Sequence, residues 1–452
     1  MVYKIQDNRL AETEILEEVT MPKPIVCLSE QLCQYLESFR TCFSKRQWKY
    51  FVTVLLGLIE CEERKTMSGI LRVVGEQISL SGFSRFLNKW SWSRSAVTST
   101  WQVRFGQRME SLVKAEHERL RAEQPQRSGR PTKTVVTGFV AFDDSIHVKP
   151  KGRSMAGLGK HYSNTEKRVV RGHCLLTGLY MLLGQRCPLQ PQLYRQKQVC
   201  EQEGVPFQSK IDMVVAEIES FDPVVGTHTH VLVDSWFHCK RVRKAALKRN
   251  WDLSGGLKSN RVIRLIQADG SREWLKLSHY AAQLGRNDWQ EVIWPSEQGG
   301  QKMYAHLVSS WIRKLGPTLV LITCHDLNEP LKSVRYWGST VLDLDAQTLV
   351  DILAERWQIE TFFEYAKDLL GSDDYQVMTA QAILRFWTLI ACLMCFLEEQ
   401  RALEQDHYLT CGDVRRRLQN QHRLNLLHWL RERFSEGCSL DQICCQLTLS
   451  NS

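Results

Sequence analysis

Two aspartates follow directly on short apolar runs, a placement typical of catalytic acids. Asp143 follows the β-branched run 134–142 (TVVTGFVAF), and Asp234 follows the run 227–233 (THTHVLV). Both runs predict buried strands, and the carboxyl ends of strands in an open α/β sheet are where such sheets place their chemistry. Taken alone, each aspartate has a routine explanation, because aspartate often begins a turn or caps a helix.

A third acid, Glu360, lies in the segment 353–370, which has the periodicity of an amphipathic helix. At 100° per residue, Arg356, Glu360 and Lys367 fall in one narrow stripe away from the apolar residues, and Trp357 lies beside that stripe. The solvent face of an ordinary helix would look the same, with Arg356 and Glu360 as a weak ion pair. On the helix alone, this ordinary explanation is the better one.

The three carboxylates together suggest a specific chemistry. Two-metal cleavage of a phosphodiester needs carboxylates that bridge hard cations about 3.5–4 Å apart. Mg²⁺ prefers oxygen ligands and keeps several waters, so Asp143, Asp234 and Glu360 would suffice to hold two ions. Basic side chains nearby would then hold the phosphate backbone. The three acids therefore predict metal-dependent cleavage of nucleic acid.

The segment around Glu360 resembles the signature of bacterial insertion-sequence DDE transposases. That signature has Tyr, Arg, Glu and Lys with two, three and six residues between them, and the stretch Leu353–Lys367 (LAERWQIETFFEYAK) has this spacing. Arg356, Glu360 and Lys367 match the signature, whereas the tyrosine position is Leu353. The departure affects one hydroxyl that contacts the DNA backbone in the family, not the acids.

The regions around both aspartates resemble the same family. The run 142–145 (FDDS), with the basic residues that follow it, is similar to the first-aspartate region, and the run 231–236 (VLVDSW) is similar to the second. The wide gap between Asp234 and Glu360 is similar to that of family members with a β-strand insertion before the glutamate helix. The resemblance covers about residues 134–390, and the helical N-terminal region is weakly similar to end-binding domains of the family.

The resemblance implies a fold and a reaction. The fold would be α/β, a ribonuclease-H-like mixed sheet flanked by helices, with an all-α N-terminal domain and a β-rich insertion. The reaction would be cut-and-paste transposition, in which water cleaves the DNA at the element end and the freed 3′-OH attacks target DNA. Asp143, Asp234 and Glu360 would be the catalytic residues and would bind two Mg²⁺ or Mn²⁺ ions. A homodimer would join the terminal inverted repeats in a synaptic complex.

The same resemblance implies two kinds of DNA contact, with phosphates and with a displaced base that stacks on a tryptophan. The residues expected to bind DNA are Arg356, Lys367, Trp357, Trp236, Lys149, Lys151 and Arg153.

Three questions stay open in the sequence. Asp143 and Asp144 are consecutive, so on a strand only one of them can face the metals. The acid-x-Ser spacing favours Asp143. A ribonuclease-H-like nuclease or resolvase would carry the same acids, and a domesticated, non-catalytic DNA-binding protein is a further alternative, although it predicts a damaged triad.

The elements that must position these residues change in character along the chain. Residues 1–120 predict helices, including two short ones within 65–90 that resemble a helix-turn-helix, and are expected to form a DNA-binding domain. The remaining expected regions are a linker at 121–133, the first part of the catalytic core at 134–250, a β-rich insertion at 251–345, the glutamate helix and the following helix at 346–400, and a C-terminal helical region at 401–452.

Composition supports a nucleic-acid partner and disfavours other classes. The 452 residues carry a net charge of +9, with basic clusters such as 240–249 (KRVRKAALKR) that attract polyanions. The 15 cysteines are scattered, and neither the pair Cys392/Cys395 nor the pair His228/His230 has a second ligand pair at zinc spacing. The apolar run 386–397 is too short to span a bilayer, and the N-terminus lacks a signal core. We therefore expect a cytoplasmic, nucleoid-associated bacterial protein without a membrane partner.

Overall fold

The computed structural model describes residues 28–74, 78–123, 135–163, 166–266, 270–296, 299–403 and 409–449. The predicted linker lies outside these residues from position 124 onward. The helices are α1 (Glu30–Glu37), α2 (Lys45–Glu60), α3 (Met67–Val73), α4 (Leu80–Asn88), α5 (Arg94–Ala122), α6 (Lys197–Glu203), α7 (Lys210–Ser220), α8 (Lys240–Lys248), α9 (Leu277–Ala281), α10 (Pro330–Ser333), α11 (Ala346–Ala354), α12 (Trp357–Asp368), α13 (Ala380–Leu403), α14 (Cys411–Ser435) and α15 (Leu440–Leu449). The strands are β1 (Val136–Val148), β2 (Gly159–Ser163), β3 (Arg168–Leu182), β4 (Gln185–Pro188), β5 (Gln192–Tyr194), β6 (Thr227–Val233), β7 (Asp252–Gly256), β8 (Val262–Ile266), β9 (Arg272–Lys276), β10 (Gln290–Trp294), β11 (Gln301–Ile312), β12 (Gly316–Cys324) and β13 (Arg335–Ser339).

Helices α1–α5 form the N-terminal helical region that the sequence predicts. Helices α2 to α5 each begin at a serine or threonine whose side-chain oxygen accepts a hydrogen bond from a backbone N–H in the first turn. The two short helices expected within 65–90 are α3 and α4, and α4 buries Phe83 and Phe86 completely. Their packing joins them to the large hydrophobic core that continues into the sheet.

In the described part of the chain, thirteen strands form one sheet, with the main order β2-β3-β1-β6-β7-β13-β12-β11-β8-β9. Strand β1 is antiparallel to β3 on one side and parallel to β6 on the other, and β6 is parallel to β7. Strands β4 and β5 extend the antiparallel side by pairing with β3. A mixed sheet with this topology and helices packed against it is the expected ribonuclease-H-like fold, which is thereby confirmed.

Strands β8 to β12 form the expected β-rich insertion, which continues the catalytic sheet. The connection runs through β13, which pairs with β12 and, in antiparallel register, with β7. The insertion buries one small apolar cluster of its own and shares a second with α11. The expected insertion boundary at 251 falls just before β7, and β7 is itself a parallel neighbour of β6.

Helix α13 is the buried helix of the core. The helix extends beyond the apolar run 386–397 and, contrary to the expectation from that run, is long and apolar enough to cross a membrane, but 83% of its most apolar stretch is buried inside the protein. Its first half holds the N-terminal region, because the Arg385 guanidinium donates to the carbonyl oxygens of Phe86, Leu87 and Trp92. No membrane is indicated by this helix, because its apolar surface is already covered.

Three sequence expectations about element boundaries are wrong. Strand β1 does not end at Asp143 but continues to Val148, because β3 pairs with it along its whole second half. The segment 353–370 is not one helix, since α11 ends at Ala354 and α12 begins at Trp357. The basic residues after Asp234 predict a helix from Trp236 to Arg249, but α8 begins only at Lys240, because the intervening residues form a turn.

Candidate active site

The candidate site lies where β1 and β6 diverge. The last parallel pair between these strands is Phe142 with Val233, and each of these residues is followed directly by an aspartate. Asp143 and Asp234 are therefore neighbours at the carboxyl end of the β1–β6 pair, which is where such sheets open a crevice. The parallel pairing, not the end of β1, brings the two acids together.

Asp143 and Asp144 face opposite sides of the sheet. The Asp143 Oδ2 atom lies 3.2 Å from Nη1 of Arg356, on the side of α12. The Asp144 Oδ2 atom lies 2.9 Å from Nζ of Lys210, on the side of α7. This is the alternation that an extended strand imposes on consecutive residues. Asp143 is thus the member of the pair that shares a face with the glutamate helix.

Arg356 connects two of the three acids. Its guanidinium donates through Nη1 to Asp143 and through Nη2 to Glu360, one turn further along α12. The three side chains are only partly exposed, at 18% for Arg356, 22% for Asp143 and 33% for Glu360. Arg356 stands at the N-cap position of α12 in helical conformation, so the break after α11 leaves its i,i+4 relation to Glu360 intact.

Asp234 is fixed by the backbone of the turn that follows it. Its Oδ1 atom accepts hydrogen bonds from the backbone N–H groups of Trp236 and Phe237, both at 2.9 Å. An aspartate side chain that satisfies the next N–H groups stabilises a turn. Because of this turn, α8 begins only at Lys240. Both hydrogen bonds go to Oδ1 of Asp234, so its Oδ2 atom takes no part in them.

A cleft of about 360 Å³ opens beside the acids. Asp234, Ser235 and Arg356 form its wall on the side of the acids, and the end of β7 and the strand β13 form the rest. Its complete lining is Asp234, Ser235, Gly256, Leu257, Ser259, Val334, Arg335, Tyr336, Trp337 and Arg356. The insertion therefore contributes directly to the surface next to the candidate site.

The electrostatics of the site favour an additional cation. Burial raises the pKa of Asp143 to about 7, the Arg356 charge opposes this rise, and the nearby charges of Asp234 and Asp144 add to it. Asp234 and Asp144 thus add to a rise that burial causes and that Arg356 only partly offsets, so a further cation beside Asp143 would favour its ionised form. Divalent cations bind to ionised carboxylates, so these side chains suit Mg²⁺ or Mn²⁺ in chemical type.

Arg356 bonds two of the three acids. Within the described residues, no group of three His, Cys, Asp or Glu side chains is arranged to hold one ion. In the arrangement described here, the cation that Asp143 and Glu360 share is the guanidinium. The residue types therefore fit a metal centre, while the present contacts are those of an ion-pair network.

A family model described as "DDE superfamily endonuclease" matches residues 38–295, which is more than half of the chain. The chain belongs to the DDE superfamily of endonucleases. A second model, described as "Transposase DDE domain", matches residues 199–396. The first match contains Asp143 and Asp234, and the second contains Asp234 and Glu360, so the two matches together cover the three acids. A search of curated proteins gives no significant match.

Membership of this superfamily supports a transposase-like nuclease function and a DNA partner. DDE nucleases generally use divalent metal ions, in agreement with the carboxylates found here. The resemblance to DDE transposases that the motif around Glu360 indicates is confirmed at the level of the family.

The basic residues predicted to bind DNA lie in different surroundings. The Lys367 ammonium lies on the same side of β1 as Arg356, 3.5 Å from the carbonyl oxygen of Ile146. Lys151 and Arg153 are exposed in the loop between β1 and β2. The prediction for Lys149 is not supported by its position, because its side chain is only 8% exposed and it donates to the carbonyl oxygens of Asp373 and Tyr375.

The two tryptophans predicted to stack on a base lie apart. Trp357 begins α12 beside Arg356 and is 61% exposed. Trp236 is 47% exposed and lies over Lys210, on the side of Asp144. The structure therefore brings Trp357 to the face of Glu360, whereas Trp236 borders the site from the other side of the sheet.

Lys210 is a residue near the site that the sequence does not reveal. Its segment predicts only an amphipathic helix, and nothing in that pattern connects Lys210 with an acid 66 residues earlier. The one signal is negative: a lysine at the first position of α7 does not suit the positive end of the helix dipole. An unfavourable charge of this kind indicates that a partner elsewhere compensates it.

Proposed function

We propose that the protein is a DDE transposase that cleaves DNA at the ends of a mobile element and joins those ends to target DNA. The observation that carries the proposal is the joint placement of Asp143, Asp234 and Glu360, two of them bridged by Arg356. Superfamily membership supports the nuclease part of the proposal. Strand transfer and the insertion-sequence context belong to the proposal itself.

In this proposal Asp143, Asp234 and Glu360 hold two Mg²⁺ or Mn²⁺ ions, which would supply an activated oxygen nucleophile and stabilise the leaving oxygen. The protein's own residues orient the DNA. Arg356 and Lys367 hold the backbone near the scissile phosphate, since both extend from α12 toward β1. Binding the ions would exchange the contacts of Arg356 with the acids for contacts with the substrate.

Exposed residues around the site are proposed to hold the rest of the DNA. Lys151 and Arg153 would contact phosphates, and Trp357 or Trp236 would stack on a displaced base. The helices α3 and α4 are proposed to contact the terminal inverted repeat. Lys149 is left out of this set because it is buried.

A homodimer that holds two DNA ends is part of the same proposal. The second half of α14 exposes Leu424 (51%), Leu427 (60%) and Phe434 (52%), which fall within 80° of one another around the helix axis. Exposed apolar side chains grouped on one face commonly mark an interaction surface. A bacterial protein of this kind would work in the cytoplasm at the nucleoid.

The test uses the purified protein and a duplex carrying the DNA that flanks its coding region. With Mg²⁺, we expect nicking at a defined position and, with a pre-cut end, joining of that end to a target plasmid. The variants Asp143→Asn, Asp234→Asn and Glu360→Gln should each lower cleavage by at least about 100-fold. Glu364→Gln is the matched control, because Glu364 is exposed one turn further along α12.

Different outcomes separate the candidate functions. Cleavage without joining would identify a nuclease or resolvase, and binding without cleavage would identify a non-catalytic DNA-binding protein. If Glu360→Gln cleaved DNA as well as Glu364→Gln, the three-acid mechanism would be wrong.

A further inference from the structure

We infer that Asp144 and Lys210 form a support that positions the catalytic Asp234 through Trp236. The inference rests on the proposed function, in which Asp234 is a catalytic acid. It gives the second aspartate of the Asp143-Asp144 pair a role of its own, on the opposite face of the sheet. Asp144 and Lys210 would be positioning residues, because neither side chain contacts the group of acids around Arg356. Asp144 reaches that group only through its backbone N–H, which donates to Oδ1 of Asp143 at 2.8 Å.

The first part of the support is the ion pair between β1 and α7. The Lys210 Nζ atom lies 2.9 Å from Oδ2 of Asp144, and the two side chains are only 17% and 20% exposed. The Cys174 thiol donates to the same carboxylate oxygen at 3.3 Å. An ion pair so far removed from water is held more firmly than one on the surface, because losing either partner strands the other charge.

The start of α7 is fixed independently of this pair. Ser209 caps the helix by accepting a hydrogen bond from the N–H of Asp212, and the Asp212 carboxylate accepts one from the N–H of Ser209. This reciprocal cap determines where the first residue of the helix, Lys210, projects. Lys210 is therefore held at its backbone by the cap and at its ammonium by Asp144.

The second part of the support is the contact between Lys210 and two aromatic rings. The ammonium lies 5.1 Å from the ring centroid of Tyr194 and 5.6 Å from that of Trp236. A cation within about 6 Å of an aromatic face is attracted to it. Trp236 gains a defined side-chain position from this contact, even though 47% of the residue is exposed.

The third part connects Trp236 with Asp234. The backbone N–H of Trp236 donates to Oδ1 of Asp234 at 2.9 Å, so the tryptophan is held by its ring on Lys210 and by its backbone on the acid. The turn 234–237 is short, so the orientation of Trp236 and that of the Asp234 carboxylate are coupled. Groups that orient a ligand carboxylate from behind affect metal binding and rate strongly.

The experiment compares Lys210→Met and Asp144→Asn with the conservative variant Lys210→Arg. Arginine keeps a cation over both rings and an ion pair with Asp144. Lys244→Met is the matched control, since Lys244 is an exposed lysine on α8. Each protein is assayed for the cleavage rate at saturating DNA, the Mg²⁺ concentration for half-maximal rate, DNA affinity in EDTA, and oxidation of Trp236 by hydroxyl radicals.

We expect Lys210→Met and Asp144→Asn to lower the maximal rate by about 10-fold and to raise the Mg²⁺ requirement by a similar factor. The affinity for intact duplex in EDTA should change less than about 2-fold, because no proposed phosphate contact is removed and an uncleaved duplex presents no displaced base for Trp236 to stack on. Trp236 should be oxidised up to about 2-fold faster in both variants, because 47% of the residue is already exposed. Lys210→Arg should recover most of the rate, and the double variant should lose no more than either single one, because both act on one unit.

Two results would overturn the inference. One is that Lys210→Met keeps the Mg²⁺ requirement and the Trp236 oxidation rate of the Lys244→Met control. The other is that it loses DNA affinity and rate together while the oxidation rate of Trp236 is unchanged, which would make Lys210 a DNA contact. The oxidation measurement does not need cleavage, so absence of cleavage in the unmodified protein would reject the proposed function and leave the support testable.

Discussion

The Arg356 guanidinium is a cation that lies between Asp143 and Glu360, two acids that would otherwise repel each other. It is the only group within the described contacts that bonds both Asp143 and Glu360. Its charge opposes the burial that raises the pKa of Asp143. In the proposed function Arg356 therefore has two roles: it holds Asp143 and Glu360 close together, and its guanidinium would bind the DNA phosphate beside them.

A residue-scale prediction concerns Glu217 on α7, the helix that carries Lys210. Burial raises the pKa of Glu217 from its usual value near 4.5 to about 7, and the hydrogen bond from Gln192 only partly opposes this. The folded state thus prefers the neutral carboxyl group of Glu217. The contribution of this preference to the free energy of unfolding is complete at acidic pH and is lost as the pH rises through about 7. Glu217→Gln should be insensitive to that loss.

We therefore expect Glu217→Gln to match the unmodified protein at pH 5 and to exceed its free energy of unfolding by about 1–2 kcal/mol at pH 8. Urea denaturation at the two pH values measures this difference. Glu219→Gln changes an exposed residue on the same helix and serves as the control. Its free energy of unfolding should differ from that of the unmodified protein by the same amount at both pH values. If Glu217→Gln changed the free energy of unfolding equally at pH 5 and pH 8, the raised pKa of Glu217 would be contradicted.

At the residue scale, sequence predicts the acids better than their surroundings. Glu360 could be identified because Arg356 and Lys367 accompany it within one local segment, where helical spacing determines proximity. The choice between Asp143 and Asp144 depends on which face of β1 is covered by α12, and this is a property of the tertiary structure. Lys149 has the same local pattern as its exposed neighbours, so its burial could not be read from that pattern.

At the scale of elements, the cap of α12 determines where the glutamate helix ends. Gly371 has a φ of +57°, and its N–H donates to the carbonyl oxygen of Lys367 at 2.8 Å. A Cβ atom at this position would lie 2.4 Å from Oδ2 of Asp374 and 2.9 Å from Cδ of Lys65. Glycine is therefore required twice, for the left-handed backbone and for the close approach.

We expect Gly371→Ala to lower the free energy of unfolding by about 2–3 kcal/mol, since strain and a steric clash add. Gly106→Ala in α5 is the matched control, because a Cβ there meets nothing within 4 Å. That substitution should stabilise the protein by up to about 1 kcal/mol, as alanine favours a helix interior. Chemical denaturation of the two variants should give changes of opposite sign, and two changes of the same sign would refute the argument.

Element types could be predicted from the sequence more reliably than element ends. Strand β6 has the predicted bounds, because the apolar run and the pairing with neighbouring strands both end at Val233, and the turn follows directly. Strand β1 is longer than its apolar run because β3 supplies hydrogen bonds beyond Asp143, and polar residues can continue a strand that a neighbour pairs. The break between α11 and α12 has no proline or glycine to signal it, so periodicity alone continues through it.

At the scale of the whole molecule, regions far apart in sequence form one core. The Tyr35 hydroxyl donates to the carbonyl oxygen of Cys392, and Arg415 on α14 donates to the carbonyl oxygens of Ile59 and Cys61. The expectation of helices at both ends of the chain could be made from periodicity. The packing of these helices on each other could not be predicted. It depends on single buried polar side chains that bond to carbonyl oxygens far away in the sequence, and such contacts leave no periodic pattern.

One contact joins the segment before α3 to the loop that follows the glutamate helix. The backbone N–H of Lys65, just before α3, donates to Oδ2 of Asp374 at 2.9 Å, and Arg64 lies 3.4 Å from Oδ1. Asp374 follows the cap at Gly371, so it is connected through that cap to α12. Arg64 is 69% exposed, which makes its ion pair weak, so the backbone hydrogen bond is the stronger part of the contact.

If α3 and α4 contact the element end, Asp374 couples that contact to the position of Glu360. Asp374→Ala removes the acceptor, whereas Asp374→Asn keeps a carbonyl oxygen for the Lys65 N–H. At saturating DNA, we expect Asp374→Ala to lose about 10-fold in the cleavage rate on the element end and little on unrelated duplex, whereas Asp374→Asn stays within about 2-fold of the unmodified protein on both. A uniform loss on both DNAs would mean that Asp374 only stabilises the fold, because a general loss of folded enzyme cannot change the ratio of the two rates.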